Sequence, residues 1–358
     1  MTHLANRQIS RIMGIALRTE LLLAAVLAFF VACNSGRATW PVQHSEKASV
    51  PSKPGPRVRP LADRKFERTA NRLIRGRYLV NGIAECFACH GPSDFKRLGW
   101  PPARGKEGSG YPNFTSSGEP GPAAPNITPD RETGVGNWTD DMLARAIREG
   151  VGHDGHLLDP TVMPYEFYRA MSAEDLASII VYLRSIPPIR NPLPASKPSD
   201  HIVAPFAIPI YAPVPSPDVS TRVKRGAYLA QLGACQWCHT LRDENRQPLP
   251  GLEFGGGDFI TTNPFSQVTS ANLTPDPSGI SYYDERLFLR VMHTGKVGAR
   301  KLNPIMPWWF FGHMTDEDLK AIFAFLRTLT PVQHRVNNTE SVAYCRVCKR
   351  RHHGGAFN

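Results

Sequence analysis

Apolar residues crowd the start of the chain and then recur in short periodic stretches. An unbroken apolar run of twelve residues, Leu21 to Ala32, follows Arg7, Arg11 and Arg18. It is too short to span a bilayer comfortably, and a basic stretch ahead of a short apolar core is the pattern of an export signal. The run ends at Phe30-Val31-Ala32-Cys33, which resembles a bacterial lipobox apart from Phe30. Residues 1–33 are therefore expected to direct export, with Cys33 as a lipid-attachment site and simple cleavage or a retained apolar anchor as alternatives. Residues 34–70 are polar, carry several prolines before Pro60 and show no apolar period, which predicts a flexible tether.

Helical periodicity then appears in matched pairs. Leu143, Ala146 and Ile147 share one side of a helix opened by Thr139 and closed by Gly150, and its counterpart runs from about Asp284 to Thr294 before Gly295. Leu176, Ile179, Ile180 and Leu183 follow a Ser172-x-x-Asp175 start, as Leu319, Ile322, Phe323 and Leu326 follow Thr315-x-x-Asp318. Pro187, Pro188 and Pro331 stop these helices. Arg75-Gly76-Arg77-Tyr78-Leu79-Val80 and Arg225-Gly226-Ala227-Tyr228-Leu229-Ala230 predict the first helix of each half. Asn126-Ile127-Thr128-Pro129-Asp130 is matched by Asn272-Leu273-Thr274-Pro275-Asp276, so the chain carries an internal duplication. Ten prolines fall between Pro187 and Pro217, a density that forbids helix and predicts an extended connector. The expected architecture is mainly α: two tandem domains with long loops, 71–188 and 219–332, a Pro-rich linker at 189–218, and a basic tail at 333–358.

The chemistry sits at the front of each half. Cys86-Phe87-Ala88-Cys89-His90 is repeated 149 residues later as Cys235-Gln236-Trp237-Cys238-His239. Residues at i, i+3 and i+4 share one face of a helical turn, so two thiols can bond the two vinyl groups on one porphyrin edge while the adjacent imidazole reaches the iron. Random placement of 7 Cys and 12 His in 358 residues gives roughly 0.005 such runs. Two are present, so two covalently attached haem c groups are expected, with His90 and His239 as proximal ligands.

Met163 and Met306 are the expected distal ligands. They occupy matched places before the closing helices, and the proline after each biases the methionine towards extended backbone. Met171, Met314, His153, His156 and His313 compete for the role and read as surface or packing residues. Histidine–methionine ligation fills both axial positions and favours ferrous iron, which points to electron transfer without bond chemistry.

Composition adds less. A net charge of +11 is compatible with nucleic-acid binding, but no nucleic-acid motif accompanies it, and part of the excess balances haem propionates. Gly255-Gly256-Gly257 lacks the strand–helix setting of a phosphate loop and reads as a tight loop against the haem edge. Trp138, Trp308 and Trp309 are expected to pack on the haems, and Phe310-Phe311 to be core or a docking patch. Cys345-Arg346-Val347-Cys348-Lys349 sets a lysine where a haem histidine would stand. A structural disulfide is its first reading, with zinc binding through His352 and His353, or a third haem on Lys349, as alternatives.

With these residues in view the chain resembles bacterial dihaem cytochromes c that serve as electron-transfer subunits of periplasmic dehydrogenases. The resemblance runs from about Arg75 to Pro331 and rests on the two haem runs, the Asn-(Ile/Leu)-Thr-Pro-Asp pair, Met163-Pro164-Tyr165 and Met306-Pro307-Trp308. It implies cytochrome c-type α domains, haem c, and His90/Met163 and His239/Met306 as axial pairs. It also implies a dehydrogenase or quinol-linked donor, a terminal oxidase or soluble cytochrome as acceptor, and a place on the periplasmic side of the cytoplasmic membrane, held by the N-terminal anchor. Alcohol-dehydrogenase cytochrome subunits commonly carry three haem domains, whereas this chain has two complete runs. The rival expectation is a dihaem peroxidase-like enzyme with one displaceable distal ligand.

Overall fold

Hydroxyl and carboxyl side chains start the longer helices. In the computed structural model, which describes residues 58–112, 123–160, 162–194, 208–243, 247–263 and 266–358, Thr69, Thr139, Ser172, Thr221, Asp284 and Thr315 each accept a hydrogen bond from the backbone N–H three residues on. The export segment 1–33, most of the tether and residues 195–207 of the connector lie outside the described residues.

The first half is built from α1 (Ala70–Asn81), a single haem-run turn α2 (Cys86–Cys89), α3 (Asp140–Glu149), the short α4 (Tyr165–Tyr168) and α5 (Ala173–Leu183). The second half repeats the order with α6 (Arg222–Leu232), α7 (Cys235–His239), α8 (Glu285–Thr294), α9 (Trp308–Phe311) and α10 (Asp316–Leu326). Three antiparallel hairpins, Phe259–Asn263 with Ser266–Thr269, Lys296–Val297 with Arg300–Lys301, and Val342–Tyr344 with Arg351–His353, and a 3-10 turn at Gly355–Phe357 complete the regular elements among the described residues. The protein is helix-rich with few strands, and the described residues fall within one compact unit, 53–358.

In each half the first helix crosses the closing helix at a glycine. A Cβ on Gly76 would lie 1.9 Å from the Ser178 carbonyl oxygen, and one on Gly226 would lie 1.8 Å from that of Ala321. The two backbones therefore touch, which explains the Arg-Gly-x-Tyr repeat. The arginine before the glycine pairs with the closing helix of its own half: Arg75 Nε lies 2.7 Å from Asp175 and Arg225 Nε 2.5 Å from Asp318.

The tyrosine does something the periodicity did not show. It crosses to the other half. Tyr228 donates to Asp175 at 2.7 Å and accepts from the Ser172 N–H at 3.1 Å, while Tyr78 donates to Asp318 at 2.5 Å and accepts from the Thr315 N–H at 3.3 Å. In an ordinary capping box the acidic residue would return directly to the cap N–H. Here each N–H is satisfied by a tyrosine hydroxyl from the opposite half, which bridges it to the acid. Tyr228→Phe removes a hydroxyl that serves two buried groups and is expected to cost about 1–3 kcal/mol, measured as a lower denaturant midpoint. An unchanged midpoint would show that this bridge contributes nothing.

One stretch differs from expectation. Residues 58–66, assigned from sequence to a flexible tether, are fastened to α3. Arg59 donates to both Asp141 oxygens (2.7 and 2.9 Å) and to Glu149 (2.9 Å), and the Ala62 and Phe66 N–H groups donate to Asp141 and Asp140. One buried arginine overrides the polar composition. The described ends of the proline-rich stretch have no helix or strand, but both are tied down, Asn191 through Ser109 and Thr133 and Ile210 through Glu149. Phe310 and Phe311 are both buried and so belong to the core.

Candidate haem attachment sites

Each haem run occupies one helical turn entered through a left-handed residue. Glu85 (φ 39°) precedes Cys86 and Ala234 (φ 46°) precedes Cys235. The turn gathers Cys86, Cys89 and His90 in the first half and Cys235, Cys238 and His239 in the second, in the i, i+3, i+4 arrangement.

Both imidazoles are held in the same way. His90 Nδ1 lies 2.8 Å from the Pro125 carbonyl and His239 Nδ1 lies 2.7 Å from that of Ala271. A carbonyl only accepts, so Nδ1 carries the proton and Nε2 presents a lone pair to a metal. Burial lowers the pKa of both rings, which keeps them neutral.

The repeated Asn-(Ile/Leu)-Thr-Pro-Asp motif begins one residue after these carbonyls. Asn126 Oδ1 accepts from the Thr128 N–H and hydroxyl at 2.9 and 2.7 Å, and its Nδ2 donates to the Ile189 carbonyl at 2.7 Å. Asn272 repeats this with Thr274 at 2.9 and 2.7 Å and with the Val332 carbonyl at 2.7 Å. The motif thus staples the loop that aims each histidine to the chain just past the closing helix. Sequence reading found the motif as a repeat but not this role, since its partners lie some sixty residues away.

Glycine loops hold the other side of each run. Gly110 N–H donates to the His90 carbonyl at 3.0 Å and Gly256 N–H to the His239 carbonyl at 2.9 Å. Gly256 (φ 68°) would drive a Cβ to within 2.4 Å of the Ala271 backbone, so the Gly255–Gly257 stretch is a tight turn against the second haem run.

Met163 and Met306 are half-buried in matched turns. Their carbonyls accept from Tyr165 and Trp308 N–H at 2.8 and 2.7 Å, and Pro164 and Pro307 share φ −79° with ψ near 50°. Met171 and Met314 are buried in the core. His153 stacks on Trp138 at 4.7 Å, His156 bonds Asp154, and His313 packs against Trp309 at 4.3 Å.

The segments leading into the two runs touch: a Cβ on Gly233 would lie 2.7 Å from Ile83 Cδ1. Burial pushes the Cys86, Cys235 and Cys238 thiols up to about 12, and in all three the Glu85 carboxylate adds to the rise. Glu85 is itself held well above the usual carboxylate range by burial.

Buried donors lack a hydrogen-bond partner among the described residues: Arg148 Nε and Nη2 in the first half and Trp308 Nε1 in the second. Burial pushes the Arg148 guanidinium down to about 10. Such donors suit propionate carboxylates, and Tyr165 and Trp308 pack over Gly150 and Gly295 in corresponding places.

Paired thiols beside a neutral imidazole with a free Nε2 recur in both halves and form a candidate site for covalent haem. The chain's homologues are cytochrome c subunits of dehydrogenases and a dihaem cytochrome c. It is similar to the gluconate 2-dehydrogenase cytochrome c subunit of Pantoea cypripedii, 30% identical over 275 residues, covering 71% of this chain and 59% of that protein. It is also similar to the fructose dehydrogenase cytochrome subunit of Gluconobacter japonicus (27% over 282 residues; 72% and 52%). A diheme cytochrome c-type protein of Cereibacter sphaeroides is 28% identical over 230 residues, with coverage of 58% and 72%. The chain thus spans little more than half of the first two relatives. No family model matches it. Among the described residues no helix is long and apolar enough to cross a membrane.

Proposed function

We propose that the chain is a dihaem c-type cytochrome that takes single electrons from a periplasmic dehydrogenase or quinol-linked complex and passes them towards a terminal oxidase. In this reading haem c is attached at Cys86/Cys89 and at Cys235/Cys238, in two tandem domains, with His90/Met163 and His239/Met306 as axial pairs. Residues 1–33 place it on the periplasmic side of the cytoplasmic membrane, with lipid at Cys33. The observation that carries the proposal is the duplicated carbonyl tie on His90 and His239, which presents an unprotonated Nε2 beside two thiols in each half.

The haems supply reversible one-electron chemistry. The chain's own residues orient and shield. Pro125 and Ala271 carbonyls fix the imidazole tautomers, Arg148 and Trp308 offer donors to propionates, and the packed first and closing helices exclude water. The close approach of Ile83 and Gly233, just ahead of the two runs, supports electron exchange between the halves.

Carbon monoxide titration of the reduced full-length protein tests the axial assignment. The native protein should bind none, whereas Met163→Ala and Met306→Ala should each open one haem to the ligand. Carbon monoxide binding by the native protein would favour the peroxidase-like reading instead. A mass showing other than two haems per chain would refute the dihaem count.

A further inference from the structure

The tail carries a second metal-binding arrangement. His334, Cys345, Cys348 and His352 are all buried, and their two ring nitrogens and two sulfurs lie within 4.8 Å of one another. The spacing is His-x10-Cys-x2-Cys-x3-His. The hairpin Val342–Tyr344 with Arg351–His353 brings the last three together. Its connecting turn is held by Lys349 N–H donating to the Cys345 carbonyl at 3.0 Å and Cys345 N–H to that of Arg350 at 2.8 Å. Lys349 takes a left-handed conformation (φ 59°), and Cys348 N–H points at Cys345 Sγ from 3.4 Å, a contact that stabilises a thiolate.

The histidines give the independent argument. His334 Nδ1 is 2.9 Å from the Gly255 carbonyl and His352 Nδ1 is 3.0 Å from the His353 carbonyl. Both Nδ1 atoms must therefore donate, and both Nε2 atoms present lone pairs. Yet these two Nε2 atoms face each other at 3.1 Å, with both rings fully buried. Two lone pairs so placed repel unless a cation lies between them. Tetrahedral zinc with nitrogens at about 2.0–2.1 Å sets them about 3.3 Å apart.

We propose that His334, Cys345, Cys348 and His352 bind a structural zinc(II) ion. Two thiols lose their protons as the ion binds, and four protein ligands leave no open coordination position. The ion would fasten residues 333–358 over the second haem run, because His334 holds the Gly255 carbonyl and the adjacent Gly256 N–H holds that of His239. Leu241, Leu252 and Val332 pack against the two cysteines. His353, paired with His352 in the sequence-based zinc alternative, instead faces Thr269 Oγ1 at 3.0 Å. His334 takes its place, from beyond the closing helix.

Elemental analysis and zinc-edge X-ray absorption of the purified full-length, haem-loaded protein test this. The expected result is one zinc per chain, with two sulfurs at about 2.3 Å and two nitrogens at about 2.0–2.1 Å. Cys348→Ser and His334→Ala should each lose at least nine-tenths of the zinc while keeping haem absorbance per chain. If these variants do not fold, the wild-type spectrum decides alone. A metal-free tail with a Cys345–Cys348 disulfide by mass, zinc without sulfur ligands, or variants that keep the metal would each overturn the proposal.

Discussion

Gly226→Ala should destabilise the protein by about 3 kcal/mol or more, an overpacking cost at the upper end of the usual range. Elsewhere in a helix this exchange would help by about 1 kcal/mol, since alanine is the better helix former. Here the new Cβ would stand 1.8 Å from the Ala321 carbonyl oxygen and 2.4 Å from its carbon. Backbone cannot rotate away as a side chain can, so α6 and α10 must separate. Separation strains the Arg225–Asp318 pair, and with it the Tyr78 bond from the first half. Gly76→Ala, 1.9 Å from the Ser178 oxygen, should behave alike. Guanidinium unfolding followed by far-ultraviolet circular dichroism measures both. A midpoint equal to wild type would mean that the helices can part without loss.

Asp141→Ala should cost about 3 kcal/mol, the lower end of the range for breaking a buried ion pair, because Arg59 loses both bonds to Asp141 but keeps Glu149. Asp141 is 0% exposed and Arg59 is 6% exposed. The carboxylate receives Nη1 and Nη2 of Arg59 and the Ala62 N–H, so the change also loosens residues 58–66, which keep the Glu149 and Asp140 bonds to α3. Burial by itself would raise the Asp141 pKa. Hydrogen bonds from Arg59 and Ala62, with the positive charges of Arg59 and Arg64, outweigh that and hold it below the usual carboxylate range. A depressed folded pKa gives stability that is complete above the unfolded value, about 3.9, and is lost as pH falls through the lower folded one. Wild type and Asp141→Asn should therefore differ most near neutral pH and converge on acidification. A gap that stayed constant into strong acid would contradict the assignment.

The Cys-x-x-Cys-His turns were legible because each is confined to a single turn. Cys86, Cys89 and His90 need only five consecutive residues to share a face. The helix starts at Thr139, Ser172 and Thr315 were legible for the same reason, since a cap reaches only three residues ahead. The boundary of the tether was not legible. Nothing local marks Arg59 as buried, and its partners Asp141 and Glu149 lie 82 and 90 residues on.

The sequence by itself determined the duplicated Cys-x-x-Cys-His runs and the order of the helices. Only the tertiary structure decided that Tyr78 serves an acid 240 residues away and Tyr228 one 53 residues back, and that His334 joins a cysteine pair in the tail. The division has a physical cause. Caps, turns and helical faces are fixed by neighbours within a few residues. Long-range partners are chosen by chain closure and packing, where each polar group entering the core must find whichever donor or acceptor the fold brings to it.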